Sequence, residues 1–109
     1  TTGIMNAGFF AMLADGAFII NGGRGPQVDD DDLLTALDSG KLGGAALDVF
    51  AVEPLPQNHL FWTHPKVRVW PHVAAQTNAT SAAEQVAAAI TAMMDGSEPA
   101  NRVDWSRGY

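Results

Sequence analysis

The sequence predicts an α/β domain built on a parallel sheet with flanking helices. Segments with helical apolar spacing alternate along the chain with short runs that are apolar throughout. Such alternation requires crossovers that place helices on the faces of a parallel sheet. Hydrophobic residues make up 47% of the 109 residues and charged residues only 17%, which argues against disorder. At this length we expect one small domain at most.

The first predicted unit is a helix followed by a buried strand. Apolar residues recur at helical spacing over residues 5–13, and Asp15-Gly16 follows as a helix stop. Residues 17–20 are apolar throughout and are bounded by Gly16 and by the sequence Asn21-Gly22-Gly23. This pattern predicts a strand covered on both faces.

The second predicted helix runs from an Asp29 cap through Asp38, with a leucine stripe and Gly40 at its end. The four acids at 29–32 also permit a metal-binding interpretation. Acids in a first helical turn offset the positive end of the helix dipole, and four adjacent carboxylates point in different directions. We therefore favour capping and expect no metal site.

Two further strands and one helix complete the predicted unit. Residues 45–50 have the pattern of a buried strand, and residues 67–70 of a shorter one ended by Pro71. The intervening loop, 51–66, is long enough to indicate function. Ser81 and Glu84 form a capping box for a helix that continues to Gly96, and the tail from residue 97 has no periodicity.

Polar residues follow each predicted strand, where parallel sheets bind their ligands. They are Arg24 after the first strand, Asp48 and Glu53 at and after the second, and His72 after the third. A carboxylate beside a histidine makes a general acid/base pair, and an arginine offers a two-pronged contact to a carboxylate-bearing substrate. The candidate site is thus a guanidinium, two carboxylates and an imidazole.

Each candidate also has a purely structural interpretation. A lone histidine is more often a packed or surface residue than a catalyst. Arg24 is also suited to capping the following segment or pairing with the acids at 29–32, and Asp48 and Glu53 to forming turns. His59 and His64 lie in the polar loop, and we interpret them as surface histidines.

Charge and composition exclude several classes of protein. The net charge of −6 argues against nucleic-acid partners and anionic membranes. The chain has no cysteine, which excludes disulfides and thiolate chemistry and fits a cytoplasmic protein. Residues 1–6 lack the basic region and apolar core expected of a signal peptide, and no apolar run in the sequence reaches membrane-spanning length. Because its first residue is Thr1 rather than a methionine, we interpret it as a chain cut from a longer one.

Several ordered blocks resemble the D-isomer-specific 2-hydroxyacid dehydrogenases. They are residues 21–25, 28–29, 33–40, 46–50, 53–56 and 71–75, in the family's order and spacing. Within the family, blocks 24–28, 60–62 and 103–109 are most similar to A-type glyoxylate/hydroxypyruvate reductases. The last block suggests that the natural C-terminus is present and that an N-terminal portion is absent.

The resemblance implies the C-terminal part of a Rossmann-like NAD or NADP domain over residues 1–78. It implies that residues 79–109 are a helix and tail returning to the substrate domain. The parent enzyme is then a homodimeric oxidoreductase that reduces a small 2-oxo acid to the D-2-hydroxy acid, and the subfamily favours NADPH. Formate dehydrogenases share the architecture but pair their histidine with glutamine, so Glu53 favours hydroxyacid chemistry.

The resemblance also implies a role for each candidate residue. Arg24 binds the substrate carboxylate and polarises the carbonyl that receives the hydride, His72 donates the proton, and Glu53 orients the His72 ring. Asp48 holds the nicotinamide carboxamide. Asn21 and Gly22 let the backbone approach the cofactor closely, and Arg24 and His72 adjoin it. The hydride belongs to the cofactor, while the protein contributes positioning and charge.

The chain departs from the family pattern in two respects. It lacks the G-x-G-x-x-G loop and the residue that selects NAD or NADP. Trp70 stands where the family usually has a smaller residue, and this either narrows the pocket or fills a gap. A sheet without its missing strands leaves an open edge and an uncovered apolar face. We therefore expect the isolated chain to be inactive and poorly stable.

Two alternatives to an enzyme remain. One is a dinucleotide-sensing module, because relatives of this fold serve as transcriptional corepressors. The other is an inactive truncated fragment. Retention of Arg24, Glu53 and His72 favours the enzyme.

Overall fold

The computed structural model describes residues 1–106 as two units, the first spanning Thr1–Ala75 and the second beginning at Gln76. Residues 107–109, part of the family-like block 103–109, lie outside the described residues. The helices are α1 (Ala7–Met12), α2 (Asp30–Asp38) and α3 (Ala79–Met94), and the strands are β1 (Ala17–Asn21), β2 (Leu42–Leu47) and β3 (Val67–Val69). Short 3-10 helices occupy Gly25–Gln27 and Leu60–Trp62.

The three strands form one parallel sheet in the order β1-β2-β3. Ile19 pairs with Ala45 and Leu47 with Val69, so all three strands end at the same edge. The predicted α/β class with a parallel sheet is confirmed. The connection from β2 to β3 contains only a 3-10 helix, so helix and strand alternate less regularly than predicted.

Strand β2 begins and ends three residues before the predicted segment 45–50. The first residues of the strand include two glycines, which have low strand propensity, so the sequence pattern did not predict that the strand begins there. A Cβ on Gly44 would lie 2.6 Å from a ring carbon of Phe18, and one on Gly43 would lie 2.5 Å from the carbonyl oxygen of Gly16. The glycine pair therefore lets β1 and its aromatic side chain approach β2 closely.

Within the first unit, residues 1–75, the sheet is covered on one side only. Ile19 is buried, whereas Phe18 and Ile20, which point to the opposite face of β1, are 73% and 82% exposed. The prediction that β1 is covered on both faces is wrong for the described chain, and the predicted uncovered apolar face is confirmed. The most deeply buried side chains lie in the core on the other side: Phe10, Leu33, Leu37, Leu42, Leu47 and Phe61.

Helix α1 is shorter than the predicted segment 5–13. Met5 lies in an isolated parallel bridge to Val28, and its carbonyl accepts the N–H of Asp29 at 3.0 Å. Asn6 caps the helix by accepting the N–H of Phe9. The prediction that the helix begins at Met5 was wrong because that backbone is engaged in β pairing.

Two of the four acids at 29–32 accept hydrogen bonds from backbone N–H groups at the starts of helices. Asp29 caps α2, and its carboxylate accepts the N–H of Asp32 at 3.0 Å. The carboxylate of Asp32 accepts the N–H of Ala7 at 2.8 Å, which joins α2 to the start of α1. These contacts confirm the capping interpretation.

Replacing Asp29 with alanine should lower the free energy of unfolding by about 1 kcal/mol, the usual cost of losing an N-cap. Urea unfolding of a longer protein that includes this chain, followed by circular dichroism, would measure it. Asp31→Ala is the matched control, because its exposed side chain caps no helix. Equal losses in the two variants would contradict the cap assignment.

The loop 51–66 is tied to α2 by both of its histidines. His59 lies 3.5 Å from Asp30, and His64 lies 3.2 Å from Asp38. The His64 side chain is only 10% exposed. The interpretation of both as surface histidines was wrong, because acids on the neighbouring helix hold their rings against the domain.

The second unit contains the helix α3. Asn78 caps this helix by accepting the N–H of Ser81, so the predicted Ser81–Glu84 capping box is wrong. The helix ends before Gly96, whose φ of +75° is the left-handed conformation expected of a terminating glycine. Val86 and Ile90 are exposed on α3. Within residues 1–106, no helix has the length and apolar character needed to cross a membrane.

Candidate active site

His72 and Glu53 are in direct contact at the sheet edge. The Nδ1 atom of His72 lies 2.8 Å from Oε2 of Glu53. The other oxygen of Glu53 accepts the N–H of Phe50 at 2.9 Å. The hydrogen bond to His72 and then that from Phe50 lower the pKa of Glu53 below its ordinary value. Glu53 is therefore a carboxylate at neutral pH.

The His72 backbone is held in an uncommon conformation. Its φ is +55°, in the left-handed region that few residues other than glycine adopt. Its Nε2 atom makes no hydrogen bond within residues 1–106, and its side chain is half exposed. With Nδ1 against Glu53, the free Nε2 is the atom positioned to exchange a proton with a ligand.

Asp48 holds the segment directly after His72. It is buried, and its two carboxylate oxygens accept the N–H groups of Val73 and Ala74, each at 2.8 Å. The N–H of Val73 is the main cause of a lowered pKa for Asp48. Each oxygen retains acceptor capacity, so the carboxylate can also receive an amide from a ligand.

Asn21 shapes the loop that carries Arg24. The buried Asn21 amide accepts the N–H of Gly23 at 3.0 Å and donates to the carbonyl of Arg24 at 3.2 Å. Arg24 is exposed, and its guanidinium donates to the carbonyl of Gly23 at 2.7 Å. Across residues 1–106 it forms no ion pair, including with the acids at 29–32. Its charge is available to an anion.

Gly25 brings the Arg24 loop against the Glu53 loop. A Cβ on Gly25 would lie 1.8 Å from the carbonyl carbon of Phe50 and 2.4 Å from the nitrogen of Ala51. Only glycine permits this approach. The structure thus pairs Glu53 with His72 and places Arg24 next to the point where the two loops meet.

Two cavities open at this edge, each of about 320 Å³. We call the first the acid/base cavity; it is lined by Phe50, Glu53, Pro54, Leu55, Trp62, Val69, Trp70, Pro71 and His72. The second, the strand-end cavity, is lined by Ile20, Asn21, Gly22, Ala46, Asp48, Trp70, Val73 and Ala74.

The strand-end cavity fits one end of a dinucleotide. Its walls are mostly apolar and suit a flat ring, and Asp48 offers a carboxylate acceptor for an amide. At Gly22 the backbone comes close to Ala74, since a Cβ there would lie 3.4 Å from the Ala74 methyl. Three of the residues expected to bind cofactor, Asn21, Gly22 and Asp48, line this cavity.

Sequence reasoning missed the contributions that act through the backbone. Gly25 was included only as part of a motif, and Phe50 and Val73 were not identified as supports of Glu53 and Asp48. Their N–H groups and close approaches depend on tertiary contacts that no local pattern contains.

Open parallel sheets of this class bind dinucleotides at the carboxyl ends of their strands, which is the edge where this chain carries Arg24, Glu53 and His72. The sequence model of the D-isomer specific 2-hydroxyacid dehydrogenase NAD binding domain matches residues 1–74. The chain belongs to this family.

Relatives of known sequence and of known structure support the same family assignment. Glyoxylate/hydroxypyruvate reductase A of Serratia proteamaculans is 51% identical over 109 residues, which is all of this chain and 35% of the relative. The NADPH-dependent glyoxylate/hydroxypyruvate reductase of Sinorhizobium meliloti, solved with NADP and sulfate, is 43% identical with a TM-score of 0.90, over all of this chain and 36% of that one.

A D-isomer specific 2-hydroxyacid dehydrogenase from Xanthobacter autotrophicus Py2, solved with NADPH and MES, is 44% identical. Its TM-score is 0.95, over all of this chain and 45% of that one. These comparisons confirm the family resemblance and the Rossmann-like fold. The chain spans about a third of the length of the curated relatives it matches.

Proposed function

We propose that this chain supplies the acid/base residues of an NADPH-dependent D-2-hydroxyacid dehydrogenase that reduces glyoxylate or hydroxypyruvate. The observation that supports it most is the 2.8 Å contact between His72 and Glu53, beside a loop that presents an unpaired Arg24. The names of the similar reductases support the substrates and the preference for NADPH.

In the proposed reduction, the Arg24 guanidinium binds the substrate carboxylate and draws electron density from the adjacent carbonyl. The Nε2–H of His72 donates its proton to the carbonyl oxygen as that oxygen becomes a hydroxyl. Glu53 holds the ring through Nδ1 and stabilises its positive charge. Asn21, Gly22 and Asp48 would hold the nicotinamide end of the cofactor. When bound, NADPH supplies the hydride.

The organisation of the parent protein forms part of the proposal. Residues 1–78 would form the second half of the cofactor domain, and residues 79–109 would return to the substrate domain. The end of the family match at residue 74 and the division after Ala75 support a boundary in this region. The homodimer and the cytoplasmic location are proposed from the family resemblance alone.

A hybrid enzyme tests the function. The matched 35% of the Serratia proteamaculans reductase would be replaced by this chain, and NADPH absorbance followed with glyoxylate and hydroxypyruvate. We expect steady oxidation of NADPH. Binding of NADPH without oxidation across a panel of 2-oxo acids would overturn the proposal and favour the dinucleotide sensor.

Glu53→Gln in the hybrid should lower kcat by roughly 10²-fold, because the His72 ring loses the negative charge that stabilises its protonated form.

The lowered pKa of Glu53 also predicts a pH effect on stability. Since folding lowers this pKa, the carboxylate stabilises the fold above its ordinary value of 4.5, and this contribution is lost as pH falls through the lowered value.

Urea unfolding of the hybrid at neutral pH and below pH 4.5 would measure this effect. The glutamine variant should lose less stability on acidification than the unmodified hybrid. Glu84→Gln, a change of the same kind on α3, is the control and should leave the acid response unchanged. Equal acid responses in the Glu53→Gln variant and the unmodified hybrid would contradict the assignment.

A further inference from the structure

The peptide unit between Gly23 and Arg24 is bound by a side chain at each of its two polar groups. The N–H of Arg24 donates to Oε1 of Gln27 at 3.3 Å, and the carbonyl of Gly23 accepts from the Arg24 guanidinium at 2.7 Å. This peptide is planar and trans, so its N–H and its carbonyl point in opposite directions and rotate together. The direction that Gln27 gives to the N–H therefore also sets the direction of the carbonyl that the guanidinium binds.

Gln27 has contacts of its own that hold it beside this peptide. Its side chain is partly buried, and its Nε2 atom donates to Oγ1 of Thr1 at 3.3 Å. Its backbone N–H donates to the carbonyl of Arg24 at 3.2 Å. The space is narrow, since a Cβ on Gly23 would lie 3.0 Å from Oε1 of Gln27. The side-chain amide of Gln27 is thus packed against the peptide that it orients.

The buried Asn21 amide binds the two neighbouring peptides but not this one. It accepts the N–H of Gly23 and donates to the carbonyl of Arg24. Both of those groups belong to the peptides on either side of the Gly23–Arg24 unit. Without Gln27, the unit between them could rotate about the bonds that flank it, and the glycine on its first side makes such rotation inexpensive.

We propose that Gln27 is a positioning residue for Arg24, which orients the Gly23–Arg24 peptide and thereby the guanidinium that binds the substrate carboxylate. This inference rests on the proposed function. A guanidinium has five N–H donors, so it can keep its bond to the carbonyl of Gly23 while it binds a carboxylate. When the peptide rotates, the guanidinium loses this anchor and must be ordered by the substrate itself, which weakens binding.

The test compares Gln27→Leu with Gln57→Leu in the hybrid reductase. We expect Gln27→Leu to lower kcat/KM for glyoxylate by about three- to tenfold, the range that corresponds to the net loss of one hydrogen bond. Gln57 has an exposed side chain in the loop 51–66, and its replacement should change kcat/KM less than about twofold. NADPH affinity should stay within about twofold in both variants, because neither residue lines the strand-end cavity.

A second pair of variants separates an effect on Arg24 from a general loosening of the loop. Arg24→Met removes the guanidinium, so Gln27 has nothing left to position. Adding Gln27→Leu to Arg24→Met should then change kcat/KM less than about twofold, and the two losses are not additive. A merely structural role for Gln27 would produce about the same loss in both backgrounds.

Three results would overturn the inference in a hybrid that reduces glyoxylate. They are additive losses in the double variant, a loss in Gln27→Leu no larger than that in Gln57→Leu, and a loss of NADPH affinity that matches the loss of kcat/KM. If Gln27→Leu does not fold, Gln27→Met keeps an unbranched side chain without the amide, and the same results there have the same meaning. An unmodified hybrid that reduces no 2-oxo acid overturns the proposed function itself, and the inference with it.

Discussion

Replacing His72 with asparagine in the hybrid reductase should lower kcat for glyoxylate reduction by about 10²–10⁴-fold. Asparagine is polar but cannot deliver a proton near neutral pH. Glu53 would keep its hydrogen bond from Phe50, so the loop should retain its shape. Steady-state kinetics at saturating NADPH, with a separate titration of NADPH binding, would measure the loss and distinguish proton transfer from cofactor affinity.

The control for this variant is His64→Asn. His64 makes the same kind of contact with a carboxylate, to Asp38 at 3.2 Å, but it lies within the loop 51–66 and lines neither of the two cavities at the sheet edge. Its replacement should change kcat less than about threefold, since it takes no part in the proposed proton transfer. Retention of more than about a tenth of kcat in His72→Asn would show that another group supplies the proton.

The second large effect is expected at Gly25. An alanine there would place its Cβ inside the backbone of Phe50, at 1.8 Å from the carbonyl carbon, so one of the two loops must move. We expect the free energy of unfolding to fall by about 3 kcal/mol or more. In the hybrid, displacement of Arg24 by even about 1 Å should cost roughly 10²-fold in kcat/KM.

Gly8→Ala is the matched control for Gly25→Ala. The added methyl in α1 would meet only the Asn6 side-chain oxygen, at 3.3 Å, and alanine favours a helix. Unfolding in urea and kcat/KM for glyoxylate should both stay close to those of the unmodified protein. If Gly25→Ala behaves as Gly8→Ala does, the close approach of the two loops is not required.

Sequence periodicity predicted the helices and strands well where burial follows a local pattern. Helix α2 is the clearest case, because its Asp29 cap, its leucine stripe and its glycine stop all lie within one short segment. The predicted position of strand β2 was three residues too late, because the first half of the strand contains Gly43 and Gly44. These glycines leave room for the close approach of β1 and Phe18. That role depends on a neighbouring strand and leaves no period in the sequence.

The candidate site was predictable from strand ends, which collect the residues that follow each strand at one edge. The positions of Glu53 and His72 after two strands predicted an acid/base pair, and the structure brings the two side chains into contact. The strand ends did not predict that Asp48 would hold the backbone after His72, or that Trp70 would line two cavities. Both features depend on how loops distant in sequence are folded over the sheet edge.

The outward side chains of β1 have a cellular consequence. Apolar surface left in water makes incompletely folded proteins prone to aggregation, and chaperones and proteases act on such proteins in cells. A molecule whose Phe18 and Ile20 stay in water would be retained or degraded, and one in which further polypeptide covers them would persist.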